Sequence, residues 1–295
     1  MDLFELSNHQ RKFFGLNPTS DSWEKLVLDD AVTVYYDREK IVKILKYKFA
    51  QSESGYFEYD TDIDTLHRKI LLPLTKRGKE QKLTVPMLLK IKGCGLQFSG
   101  TFVGGGIHVY DHKRNLFFIR SYFEDGPIKN YEDINLWVEN YISESPHNYF
   151  IWLEKELEKK RTIQTAIKGD VIAFKVSRYE YGFARILKGI WNKEEYFQVA
   201  GKLKIHPRSL TVAPYAFVSD TLDIDLDELV LRETLPSIYV FDNEVYYSEM
   251  PIVGHRSLTK KELDIPPPTK NSTSVTIFYT KTDILNFIRN NNLPA

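Results

Sequence analysis

Residues 168–187, KGDVIAFKVSRYEYGFARIL, constrain the fold more than any other stretch of this chain. Two runs rich in apolar, β-branched and aromatic residues, 171–176 and 183–187, flank the polar segment 177–182, and that is the pattern of a β-hairpin. Alternation places Ile172, Phe174 and Val176 on one face of the first strand. Gly182 opens the returning strand, and a glycine inside a strand forfeits packing, so it marks a bulge or a close backbone approach. The hairpin reads as part of a small antiparallel barrel or sandwich.

Elsewhere the period of the apolar pattern divides the chain. Residues 1–130 read as a β-rich domain built on a mixed sheet. Strand-like runs fall at 32–36, 56–59, 70–74, 83–87, 96–103, 108–110 and 116–119, with 111–115 as a polar hairpin loop. Ile41, Ile44, Leu45 and Phe49 recur at helical spacing and predict a helix over 39–49. Ile134, Trp137, Val138, Tyr141 and Ile142 form one helical stripe. Ser145-Pro146 interrupts it, and a second helix over 149–158 runs into the mixed-charge EKELEKKR. This pair, within 131–167, predicts a bridge to a C-terminal module over 168–295. Further strands are expected there at 197–205, 211–218, 238–241, 245–247, 252–253 and 274–279. Pro266-Pro267-Pro268 marks a rigid loop. Thr282 is the expected N-cap of a closing helix that carries Ile284, Leu285, Phe287 and Ile288. The fold class is α+β, β-rich, in two domains.

A chain of 295 residues can build two cores. Its 42% hydrophobic and 27% charged content belongs to a globular protein and not to a disordered one, and 18 Tyr with 18 Phe favour pleated surfaces. Cys94 is the single cysteine, so no internal disulfide can form; strand-like GCGLQF makes it a small core residue with no adjacent base. No window approaches the roughly twenty apolar residues of a spanning helix. The opening MDLFELSNHQRKFF lacks a cationic start followed by an apolar run, so the expected location is cytoplasmic, with no membrane partner. A net charge of zero hides two opposed segments. Residues 68–92 hold eight basic residues against Glu80 alone, and residues 220–249 hold nine acids against Arg232 alone.

A second landmark is PIVGHRSL at 251–258, a short apolar strand ending in Gly-His-Arg. KGDVIAFKV, YGFARI and PIVGHRSL, in that order and roughly seventy residues apart, together resemble the immunity protein 26 family of bacterial polymorphic-toxin systems. The positions that carry the likeness are Gly169, Asp170, Tyr181, Gly182, Phe183, Arg185, Gly254, His255 and Arg256. It covers residues 168 to about 260. The opening LFELSNHQRKFFGLNPTSDSWEKL is similar to the leading segment of longer proteins that carry this module at the C-terminal end. The resemblance implies a non-catalytic inhibitor that binds and neutralises a toxin or nuclease. Some family members bear a phosphotriesterase-like label, which implies a metal-dependent phosphoester hydrolase as the alternative.

The residues themselves do not support metal chemistry. Of seven histidines only His108 and His112 are close, and IHVYDHKRN reads as strand then turn, where four-residue spacing does not converge two ligands. No His-x-His pair suited to a binuclear site occurs. The Asp-x-Asp-x-Asp runs at 60–64 and 223–227 fail as calcium loops, because Thr65 and Leu71, or Glu228 and Thr234, stand where Gly and Glu are required. The second run reads instead as the acidic first turn of a short helix. Gly104-Gly105-Gly106 has no following Lys-Ser or Lys-Thr and reads as a turn. KRGKEQK lacks the interleaved aromatics of a single-strand platform, so nucleic acid is not the expected partner. No catalytic residue, metal or cofactor is expected.

What remains is a protein-binding surface. Asp220, Asp223, Asp225, Asp227 and Glu228 concentrate negative charge suited to a basic partner, and Tyr239, Tyr246 and Tyr247 are nearby aromatic anchors. His255 and Arg256 are expected to pin a strand end. The reading is a toxin or nuclease inhibitor acting by steric and electrostatic occlusion, with an inhibitor of a host anti-phage defence nuclease complex, carried by a phage, as a close variant. The N-terminal domain would add partner contacts or self-assembly.

Overall fold

The computed structural model describes residues 3–50, 53–102, 106–121, 126–160, 162–189, 209–266 and 280–293. The chain separates into two compact units, residues 1–160 and 161–295, each an α+β arrangement of antiparallel strands and helices. The first sheet, expected to be mixed, has only antiparallel pairings among the described residues. Most of its consecutive strands are joined by short turns, which return the chain alongside itself, whereas a parallel pair needs a long crossover.

In the first unit the strands are β1 (Glu24–Leu28), β2 (Val32–Asp37), β3 (Lys40–Ala50), β4 (Glu53–Leu66), β5 (Ile70–Leu71), β6 (Gln81–Lys82), β7 (Leu96–Thr101), β8 (Ile107–Asp111) and β9 (Leu116–Arg120). The main order is β1-β2-β3-β4-β7-β8-β9, with β5 and β6 as an appendage of β4. β3 replaces the helix expected over 39–49. Ile41 and Ile44 enter the core on one face of the sheet, and Leu45 and Tyr47 enter the core on the other. A central strand buried on both faces loses clean alternation, and here its apolar residues fall at helical intervals. Residues 83–87, expected as a strand, lead instead into helix α2 (Val85–Lys90), where Pro86 in the first turn needs no donor.

Helices α1 (Asn8–Phe13), α3 (Tyr131–Ser143) and α4 (Tyr149–Glu158) share one core with the sheet. Ile134, Trp137, Val138 and Tyr141 of α3 and Tyr149 and Leu153 of α4 pack there with Phe14, Phe98 and Val109. The pair read as a bridge thus buries its apolar stripes within the first unit. α2 covers the opposite face, over Ile44 and Tyr59. The acidic run at 60–64 lies along β4, where lysines of β3 answer it. Lys43 Nζ stands 2.6 Å from Asp60 and 2.9 Å from Glu58, and Lys40 Nζ 2.6 Å from Asp62. Opposite charges paired across strands explain the run without calcium. Cys94 is exposed and not a core residue, because it sits in the turn before β7.

The second unit is a sheet of order β13-β12-β11-β10-β14, formed by β10 (Asp170–Lys175), β11 (Tyr181–Lys188), β12 (Ser209–Ser219), β13 (Ile238–Phe241) and β14 (Ile252–His255). The described strands are not closed into a barrel, and each face has its own core. The hairpin expected at 168–187 is β10–β11, and the register shifts between Gly182 and Ala184, which is the bulge. Ile172, Phe174 and Val176 pack on one face, while Val171, Ala173, Phe183 and Tyr215 pack on the other. The described helices of the unit are α5 (Leu226–Leu229), α6 (Asp242–Tyr246), α7 (Lys260–Leu263) and α8 (Lys281–Asn290).

Residues 245–247 are not a strand. Asp242 and Glu244 give α6 an acidic first turn, and Val245 is buried in the core beside Ile172. Thr280, not Thr282, caps α8, exchanging side-chain hydrogen bonds with Asp283 in a capping box. The strands expected at 197–205 and 274–279, together with Gly104, Gly105, Pro267 and Pro268, lie outside the described residues. No helix of the described residues is long and apolar enough to cross a membrane.

Candidate functional site

Six of the residues that carry the family likeness, Gly169, Asp170, Arg185, Gly254, His255 and Arg256, meet at one corner of the second unit. Gly169 adopts φ +96°, and a Cβ there would stand 2.5 Å from the carbonyl oxygen of Arg256, so both conformation and space require glycine. Its carbonyl accepts from the Arg256 amide at 3.0 Å. Asp170 is buried and accepts from the Ile167 amide at 2.8 Å, while its second oxygen lies 2.8 Å from Nδ1 of the half-exposed His255. Asp170 also pairs with His255 across the β10–β14 ladder. Gly254 lies opposite Val171, and a Cβ on it would come within 2.1 Å of Leu226 Cδ1, which is how α5 approaches the sheet so closely.

Arg185 is the centre of this corner. It follows Phe183 by two residues on β11 and so points to the same face, where it is fully buried. Its Nη2 donates to the carbonyls of Arg256 at 2.5 Å and Ser257 at 3.1 Å, and Nε lies 3.1 Å from Glu262 of α7. Glu262 in turn closes the capping box of α7 by accepting from the Thr259 amide at 2.7 Å. Burial raises the Tyr215 phenol, with the Arg185 charge opposing that rise, as expected of a ring beside this ion pair. Glu262 and Tyr215 escaped the sequence reading. The Thr-x-x-Glu of TKKEL was the available sign for the first, and nothing local marked the second.

The acidic segment follows β12 and lies against the same face. Asp225 caps α5, its Oδ1 accepting from the amides of Asp227 at 2.8 Å and Glu228 at 3.3 Å, so 223–227 does open a short helix. Asp227 meets Arg256 Nε at 2.8 Å, and that hydrogen bond holds the carboxyl below its usual range. Asp220, Asp223 and Glu228 are exposed, and their side chains make no hydrogen bond or ion pair among the described residues. An open pocket is lined by Phe217, Asp223, Asp225, Glu228 and Arg232, among others. The Arg232 guanidinium lies 4.2 Å from the centre of the Phe217 ring.

Asp223, Asp225, Asp227 and Glu228 are therefore grouped around α5, and Asp220 is exposed just after β12, but Tyr246 and Tyr247 are not among them. α6 buries Val245 on the face of Ile172, whereas α5 buries Leu229 on the face of Val171. The two tyrosines, half-buried and edge-to-face at 4.9 Å, thus belong to the other side of the sheet. Tyr239 is buried and offers no anchor. Tyr181 sits at the far end of the hairpin, opposite Ser219.

Residues 167–273 match the family model of Immunity protein 26. No curated protein and no solved structure matches the chain. The match lies within the second unit and takes in both the Arg185 corner and the acidic segment. Among the described residues no three His, Cys, Asp or Glu side chains gather as a metal-ligand set. Asp170 orients His255 as a carboxylate orients the base of a hydrolase, yet no described side chain hydrogen-bonds the other ring nitrogen. The match is consistent with an immunity-protein-like role for the second unit.

Proposed function

We propose that the second unit binds and blocks a toxin or nuclease with a basic surface, and that Asp220, Asp223 and Glu228 around the Phe217–Arg232 pocket steer and hold it. The observation that carries this reading is the division of labour within the acidic segment. Asp225 and Asp227 hold the turn in place, while Asp223 and Glu228 stand exposed at a pocket that Phe217 also lines, and Asp220 is exposed nearby in the chain. A rigid platform for unpaired charge favours fast, selective association. The match of residues 167–273 to an immunity family supports the same assignment.

The test is association kinetics with the protein captured from the native host and then purified. The combined variant Asp220→Asn, Asp223→Asn and Glu228→Gln leaves the cap and the Arg256 pair intact. At low salt it should associate about tenfold more slowly, with the difference shrinking as salt screens the charges. An unchanged rate at low salt would remove the acidic segment from the mechanism.

A further inference from the structure

The sheet of the first unit carries its helices α1, α3 and α4 on one face, and α2 covers only part of the other. Pairing across the strands aligns two rows on that second face. One runs Ile44, Tyr59, Gln97, Tyr110, Phe117, and the other runs Lys46, Phe57, Ser99, His108, Arg120. Along the rows Ser99 of β7 is buried and Gln97, His108 and Tyr110 are partly buried, and exposure is reached at the β9 edge, where Phe117 and Arg120 stand in solvent. His108 and Tyr110 meet Phe117 edge-on, with ring centres 4.9 and 5.4 Å away. His112 meets Tyr110 at 5.0 Å and is held by Gln97 at 3.1 Å. Phe117 keeps 42% of its surface in solvent. The Arg120 guanidinium lies 5.1 Å from its ring centre.

The same face receives the end of the basic segment. α2 finishes at Lys90, and Lys92 follows; both are exposed. The chain there is tied to the row by Tyr59, whose hydroxyl donates to the Ile91 carbonyl at 2.8 Å. Burial lowers the His112 pKa, with the Asp111 carboxylate opposing that shift and the charges of Lys92 and Lys46 adding to it. His108 is likewise held neutral at physiological pH, which leaves it a flat ring.

We propose that this face binds single-stranded nucleic acid, with bases stacking on Phe117, Tyr110 and His112 and the backbone running along Lys90, Lys92 and Arg120. Flat rings at the edge of an open sheet accept any unpaired base, and adjacent cations track phosphates. Neither property of the patch favours a duplex, whose bases are already stacked. The basic segment lacks interleaved aromatics along the chain, and the fold supplies them from β8 and β9.

The full-length protein, titrated into a fluorescein-labelled dT oligonucleotide of about 12 nucleotides, should raise its anisotropy at about 50 mM salt and lose about twentyfold in affinity by about 200 mM, as three phosphate contacts require. Phe117→Leu, at a half-exposed site, should weaken binding about tenfold, while Leu136→Ser on α3 should leave it unchanged. Lys90→Glu with Lys92→Glu should flatten the salt dependence. Circular dichroism verifies that each variant is folded, and Arg120→Ser replaces Phe117→Leu if that variant is not. Absence of binding at the lower salt, preference for duplex, or displacement by poly-glutamate with no effect of Phe117→Leu would overturn the assignment, the last marking a surface for acidic peptides.

Discussion

Removing Arg185 should be among the most costly single changes in the second unit. The Arg185→Ala variant leaves Glu262 buried without its partner and two carbonyls without their donor. A loss of about 3–5 kcal/mol is expected from urea unfolding followed by a probe in that unit. Arg185→Lys should recover only part of it, because an ammonium keeps the charge but cannot span Glu262 and the 256–257 carbonyls at once. Equal stability of the alanine variant and the parent would show that the corner does not depend on this side chain. YGFARI and GHRSL were legible in sequence as landmarks, but the link between them was not. It is made by a side chain on one and backbone carbonyls on the other, and carbonyls leave no trace in residue identity.

At the scale of elements, the face of β8 that carries His108 has a pH signature. Burial, reinforced by the Arg120 charge, depresses the His108 pKa from 6.5 to about 4. The folded chain then declines a proton that the unfolded chain accepts. Its contribution is complete above about pH 6.5 and is lost as pH falls toward 4, at most about 3 kcal/mol. His108→Gln should flatten that part of the stability profile, measured by urea midpoints across about pH 7 to 4.5; an unaltered slope would count against it. The misread elements share a cause. β3 looked helical because it is buried on both faces, and α2 and α6 looked extended because their apolar and aromatic composition suits strands. Each was decided by what packed against it, which a local pattern does not contain.

For the whole molecule, each unit has its own cores, two in the first and two in the second among the described residues. A fragment of residues 161–295 is therefore expected to unfold cooperatively and to retain the protein partner of the full chain. The dT oligonucleotide should need the first unit. A fragment without a cooperative transition would mean that the second unit depends on the first for its fold.

By itself the sequence determined that the chain is β-rich and α+β, where the β10–β11 hairpin lies, where the helices of 131–158 run, and that 223–227 opens a helix and not a calcium loop. Those features follow from short-range periodicity and from backbone hydrogen bonding near the helix start. Only the tertiary structure decided that Arg185, Glu262 and the Gly169 turn form one corner, that Tyr246 and Tyr247 face away from the acidic segment, and that the basic segment shares a sheet face with Tyr110 and Phe117. Strand register and packing bring together residues far apart in the chain, and neither is encoded in any local window.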